Sequence, residues 1–302
     1  MIQARSALYN SVAAKELRTR MRGWRSIAVI STYMVVLGVI AIGFLVQQAG
    51  PTSGQASQVG IQLFQALAAF QLLLILFVTP ASTAGAISGE RQRQTWDLLL
   101  VTRLSTFGIV WGKLIAGLAF NILLIFASLP LFSLVFLFGG VAPQDVIHVY
   151  VVFLASVLLL GTSSLFISAL TRRLAAAMII SIIVALMLSV GVSLLAMYLE
   201  NWGTQQYSPP GPSVPPGPIP LPPLTPLARF DPFVALASAL PNGSGSSFLG
   251  GLGLLHHPFD LPGVMPLWAA FAVLSLVVSA VLLGLTTYFA RSTPRWLSRE
   301  AS

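Results

Sequence analysis

SGERQRQTWDLLLVTRLSTFGIVWGK (88–113) decides how this chain is read. Its charged side chains, Glu90, Arg91, Arg93, Asp97, Arg103 and Lys113, stand between two long runs that carry none. Of the 302 residues only 8% are charged and 56% are hydrophobic, with a mean hydropathy of +0.87. A soluble domain carries about 25% charged residues. Lipid is therefore the expected solvent for most of the chain, and the charged stretch reads as a cytoplasmic handle on a membrane protein.

Crossing the apolar core of a bilayer takes a helix of about 20 residues. Six runs pass that test, at 26–46, 60–86, 114–138, 146–170, 174–199 and 264–290, and the only Asp, Glu, Lys, Arg or His in them is His148. A spanning segment must satisfy its own backbone hydrogen bonds, and barrel strands would be shorter and alternating. The expected fold is thus an all-α polytopic membrane protein of six transmembrane helices. Thr171, Arg172 and Arg173 alone separate the fourth run from the fifth, which predicts an antiparallel hairpin.

Every Lys and Arg except Arg229 falls before the first run, in the second or fourth loop, or after the last run. Positive residues favour the inside, so both termini are expected in the cytoplasm of a multi-pass cell-membrane protein. Glu16, Glu90, Asp97 and Glu300 share that side, and Asp145, Glu200, Asp231 and Asp260 take the other. The pI near 10.6 suits nucleic acid, but these cations are juxtamembrane, where anionic lipid headgroups account for them. The lipid bilayer is the expected partner and nucleic acid is not. No cleavable signal is expected, because the first apolar run begins near residue 26 at full length and lacks a small-x-small site. The chain has no cysteine, so disulfides and thiolate ligands are excluded.

Outside the spans, residues 1–25 place Leu8, Val12, Leu17, Met21 and Trp24 at helical spacing among Lys15, Arg18, Arg20, Arg22 and Arg25. That pattern predicts an interfacial amphipathic helix. The outer loop, 200–263, contains SPPGPSVPPGPIPLPPLTP (208–226), which can form neither helix nor ladder and is expected to be an extended spacer. After it, Asp231 is a candidate N-cap and Pro232 a first helical residue for a short helix to about Leu240, expected to dip into the outer leaflet. In 88–107, a helix from Gly89 would gather Trp96, Leu99, Leu100 and Leu104 on one face, with the charges largely elsewhere. It should lie on the cytoplasmic membrane surface. Glu90 and Asp97 among Arg91, Arg93 and Arg103 offer directional ion pairs suited to docking another protein. The plainer alternative is a connector that only anchors by charge.

The stretch ISGERQRQTWDLLLVTRLSTFGIVWGKLIAG resembles the signature of permease subunits of type-2 ATP-binding-cassette (ABC) transporters, which carry Gly-Glu-Arg, Thr-x-Asp/Glu-x-Leu-Leu, a Thr-Pro or Ser-Pro turn and a following Gly-Lys. Gly89, Glu90, Arg91, Thr95, Asp97, Leu99, Leu100, Gly112 and Lys113 match. AAKELRTRMRG (13–23) resembles the family's interfacial helix, so the likeness covers essentially the whole chain. Departures are Arg103 where proline is usual, Gln94 where glycine is common and Trp96 where leucine is usual. The resemblance implies a half-channel that pairs with a second permease copy or homologue and docks on cytoplasmic ABC ATPase subunits, which bind the ATP and Mg. No cofactor is expected in this chain. The implied coupling helix would use Glu90, Arg91, Asp97 and Arg103 as docking contacts, with Trp96, Leu99 and Leu100 seated in the membrane surface. Glu90→Lys is then expected to uncouple transport from ATP hydrolysis.

The chain holds no catalytic or nucleotide motif of its own. GIVWGKL (108–114) has the wrong spacing for a phosphate loop, and its Lys113 reads as packing plus snorkelling at a helix end. His256 and His257 are adjacent and lack further ligands for a metal. No carboxylate lies within the spans, which argues against intramembrane proteolysis and against proton or cation coupling. Gln58, Gln62 and Gln65 form one stripe, with Gln71 and Asn121 deeper. These amides are either interhelical glue or the lining of a translocation path. Pro80 and Pro130 predict kinks. The function expected is a non-enzymatic permease subunit, most simply an exporter; the alternatives are a non-transporting membrane anchor that recruits a partner complex and, third, a channel.

Overall fold

The computed structural model describes residues 24–48, 56–96, 105–195, 198, 229–241 and 265–291. The predicted interfacial helix before Trp24, the polyproline run, His256 and His257 lie outside the described residues. Every regular element within them is helical: α1 (Trp24–Gln48), α2 (Ala56–Thr83), α3 (Gly85–Gln92), α4 (Thr106–Ala127), α5 (Leu129–Ser133), α6 (Val135–Phe138), α7 (Pro143–Leu170), α8 (Leu174–Leu186), α9 (Pro232–Ala239) and α10 (Leu267–Arg291). Six stretches are long and apolar enough to cross a membrane: Ile27–Val46, Ala56–Gln92, Thr106–Phe138, Pro143–Leu170, Leu174–Leu195 and Leu267–Ala290.

The fourth of these, α7, is the centre of the bundle and packs against α2, α3, α4, α8, α9 and α10. In its apolar window 78% of residues are buried, against 17%, 22% and 22% in the first, fifth and sixth spans, which turn most of their surface outward. Small residues let α7 hold that place. A Cβ on Gly161 would stand 2.4 Å from Leu118 Cδ2, and close helix approach of this kind is what packs helices where lipid removes the hydrophobic drive. Ser156, Thr162, Ser163 and Ser164 return their hydroxyls to their own helix's carbonyls, so these four buried hydroxyls are satisfied within α7. Thr162 also donates to Ser279 of α10 at 3.1 Å. Beside α7 an edge-to-face cluster of Phe64, Phe132, Tyr150 and Phe153 fills the layer between α2, α5 and α7.

Neither predicted proline kink falls at its proline. The helix runs through Pro80 and breaks at Ala84, whose amide donates to Pro80 O at 2.8 Å. The third span breaks at Ser128, two positions before Pro130, and again at Leu134. The fifth span carries a π-helical turn at Met187–Gly191, a feature that sequence periodicity does not reveal.

Two expectations about the loops are corrected. The helix expected over 88–107 is not continuous. Residues 85–92 extend the second span, α3 ends at Gln92, and Ser105 caps α4 by accepting from Gly108 N at 3.2 Å. The combined stretch Ala56–Gln92 is 37 residues, about 55 Å of helix against a hydrocarbon core of about 30 Å, so it projects out of the membrane at one end. The outer helix α9 is the second case. Asp231 does cap it, accepting from Phe233 N at 2.8 Å, with Pro232 in its first turn. Yet α9 is buried among α2, α7 and α10 rather than exposed on the outside of the bundle.

Candidate functional site: the charged end of the second span

Any helix start leaves its first amides without intrahelical partners, and in a membrane protein something must take them. At α3 that group is Ser168 of α7, whose Oγ accepts from Ile87 N at 3.1 Å and Ser88 N at 2.9 Å. A break in one span is thus closed by a hydroxyl from another.

The far end of α3 closes on itself. Thr95 N donates to Glu90 O at 3.0 Å and Gln94 N to Arg91 O at 3.1 Å, the paired bonds of a Schellman turn. Such a turn requires a left-handed residue, and Gln94 supplies it at φ 58, among the described residues the one non-glycine with positive φ. Here the departure from glycine acquires a physical meaning, since a side chain at this φ carries strain that glycine would not. Gln94→Gly is expected to raise stability by about 0.5–1 kcal/mol, read as a higher melting temperature in detergent; an unchanged or lower one would contradict the strain.

Three side chains then brace α3. Glu90 Oε1 accepts from Lys113 Nζ of α4 at 2.5 Å. Arg91 donates through Nη1 to Ala169 O at the end of α7 and stands over the Trp96 ring, 6.0 Å from its centroid. Gln92 Oε1 accepts from Leu174 N at the start of α8, 3.1 Å away. The turn therefore shares rigid contacts with the third, fourth and fifth spans, and a push on it reaches all three.

The predicted docking residues separate accordingly. Lys113 does not snorkel; it is 3% exposed and paired, and Glu90 faces it. Trp96 is 2% exposed and joins the protein core rather than the membrane surface. Gln92, Arg93, Gln94 and Thr95 are the exposed residues of the turn. Asp97, Leu99, Leu100 and Arg103 lie outside the described residues. Sequence reasoning missed Ser168, Ala169 and Leu174 as parts of this site, because an ordinary serine and two backbone groups carry no motif.

The amides expected along a path also part company. Gln58 and Gln62 are exposed, Gln65 is buried, and Gln71 is fully buried on the opposite face of α2. Asn121 donates to Ser82 Oγ at 2.9 Å and Gly117 O at 3.0 Å and accepts from Thr79 at 3.3 Å, which joins α4 to α2. That is the glue arrangement.

Below α3 a groove of about 1130 Å³ opens between α1, α2, α4 and α8. Among the described residues no His, Cys, Asp and Glu cluster assembles that could hold a metal ion. At the opposite end of the bundle, Asp231 is fully buried and accepts from Ser193, just beyond the π turn. Burial pushes its carboxyl up from 3.8 to about 7. A raised acid contributes stability that is complete below the unfolded value and is lost as pH rises through the folded one. Melting temperature is thus expected to fall as pH rises from about 4 to about 7 through this group and to level off above it, and Asp231→Asn should flatten that part of the profile; an unaltered slope would show that the docked carboxyl does not titrate there.

Fold and site together define a polytopic helical membrane protein whose water-side turn is braced by three spans. The family model of the ABC-2 family transporter protein matches residues 10–292. The chain belongs to that family, and so is a membrane permease of an ATP-binding-cassette transporter, a transport component of a generally non-catalytic kind. No curated protein matches the chain.

Proposed function

We propose that this permease forms a translocation path as a dimer, with a second copy or a homologue, and is driven by separate cytoplasmic ATPase subunits that bind the ATP and Mg. Both termini and the α3 turn face the cytoplasm in this reading, which accords with where the Lys and Arg fall. The observation that carries it is the bracing of α3. A docking element must transmit force, and its polar end is fixed to α4, α7 and α8 by Lys113, Ala169 and Leu174. Exposed Gln92, Arg93, Gln94 and Thr95 meet the ATPase, while Glu90 and Arg91 hold the turn in place. Export is the favoured direction, since spans without fixed charge suit apolar or polymeric cargo leaving the cytoplasmic side.

Purification of tagged chain from its host in mild detergent tests this. An ATPase and a second permease of similar size should copurify, and adding the reconstituted chain should raise ATP hydrolysis. Recovery of the chain alone, or with unrelated proteins, would favour a membrane anchor instead.

A further inference from the structure

The groove under α3 has a charged mouth and apolar walls. Its mouth carries Glu90, Lys113 and Arg93, and its walls include Val29, Phe120 and Leu174. Glu90 and Lys113 neutralise each other across 2.5 Å, so among the described residues the remaining charge of the mouth is the exposed Arg93. From Glu90 back to Ser82 the groove follows the second span for about 12 Å, towards its apolar run. Gly89 lines it and has nothing within 4 Å of where a Cβ would be. Among the described residues that space is open, so a bound molecule can pass close to the helix backbone there.

We propose that this groove is a phospholipid site, with the headgroup phosphate on Arg93, the glycerol passing Gly89 and an acyl chain along Val29, Phe120 and Leu174. A cation at the interface above an apolar slot between spans is the arrangement that recognises an anionic headgroup. A soluble anion would gain nothing from the apolar depth, and a docked protein would cover only the mouth. The site rests on the membrane reading and shares Arg93 with the face proposed to meet the ATPase, so its test uses the chain without the ATPase.

The test uses the full chain in nanodiscs of phosphatidylcholine with a trace of photoreactive phosphatidylglycerol. Peptides containing Val29 and Phe120 are expected to carry the label. Phosphatidylglycerol should displace it, while diacylglycerol, which lacks phosphate, and inorganic phosphate, which lacks chains, should not. Arg93→Gln and Gly89→Phe should each weaken labelling about fivefold or more. Arg93 is exposed, so its variant keeps the test alive if Gly89→Phe fails to fold. Labelling that ignores both variants, or that diacylglycerol displaces equally well, overturns the proposal, as does a groove labelled only once a copurified protein is removed. The isolated chain needs no ATPase for this result, so failure here and failure of the docking reading are separately visible.

Discussion

Replacing Lys113 by glutamate is expected to destabilise the permease by about 3 kcal/mol or more, and adding Glu90→Lys to the same chain is expected to recover most of that loss. Lys113 Nζ lies 2.5 Å from Glu90 Oε1, with side-chain exposures of 4% and 26%. Charges this far from water are tolerable only in pairs, and removing one partner typically costs about 3–5 kcal/mol because the other stays buried and uncompensated. The residual exposure of Glu90 sets the expectation at the lower end. Two carboxylates, or two ammonium groups, at this distance add repulsion. Melting of the two single variants and the swapped double variant gives the coupling directly. Near-additive effects would show that the pair is not a unit. The swap also divides two roles for Glu90 in transport. If Glu90 bears directly on the ATPase, Lys113→Glu cannot repair Glu90→Lys. If Glu90 braces the turn from within, ATPase stimulation returns with the swap, and that return is the outcome the geometry favours.

The second large effect is expected at the opposite end of the bundle. Alanine at Gly60 would place its Cβ 2.3 Å from Gly139 O and 3.1 Å from Phe138 Cβ, and at Gly140 a Cβ would meet Ser57 O at 2.4 Å. The atoms in the way are backbone, which cannot rotate aside, and Gly140 also sits at φ +86. Overpacking of this kind costs about 1–3 kcal/mol, and Gly60→Ala should fall at the upper end by prising the start of α2 from the end of α6. Gly38→Ala and Gly43→Ala are the controls, since nothing lies within 4 Å of either added carbon. Melting temperatures should drop clearly for Gly60→Ala and stay level or rise for the controls. Equal behaviour of all three would mean that α2 does not cross α6 this closely.

The contrast between these sites shows what a linear reading reaches. Gly60 gives no signal in sequence that separates it from Gly38, since both are glycines in apolar runs. What distinguishes them is the carbonyl of a residue 79 positions away. The same holds for Ser168, one hydroxyl among several in α7, which alone closes the break before α3. Lys113 looked like a snorkelling cation because sequence supplies its helix end but not the carboxylate waiting 23 residues earlier.

Span count and family were legible from local properties. An apolar run must be helical and about as long as the bilayer is thick, whatever its neighbours do, and six such helices stand in the fold. The Asp231 cap and Pro232 start are equally local, needing only a side chain and the next amides. The Gly-Glu-Arg and Gly-Lys on which the family resemblance rested are likewise read along the chain. Tertiary structure alone decided where α3 stops, because Gln94 adopts a left-handed turn against its own preference and its surroundings hold it there. It alone turned Trp96 inward and joined Glu90 to Lys113. The physical reason is common to these cases. Length and polarity act through the solvent and can be read along the chain, whereas pairing of buried charges, close backbone contact and capping by a neighbouring helix depend on which segments meet.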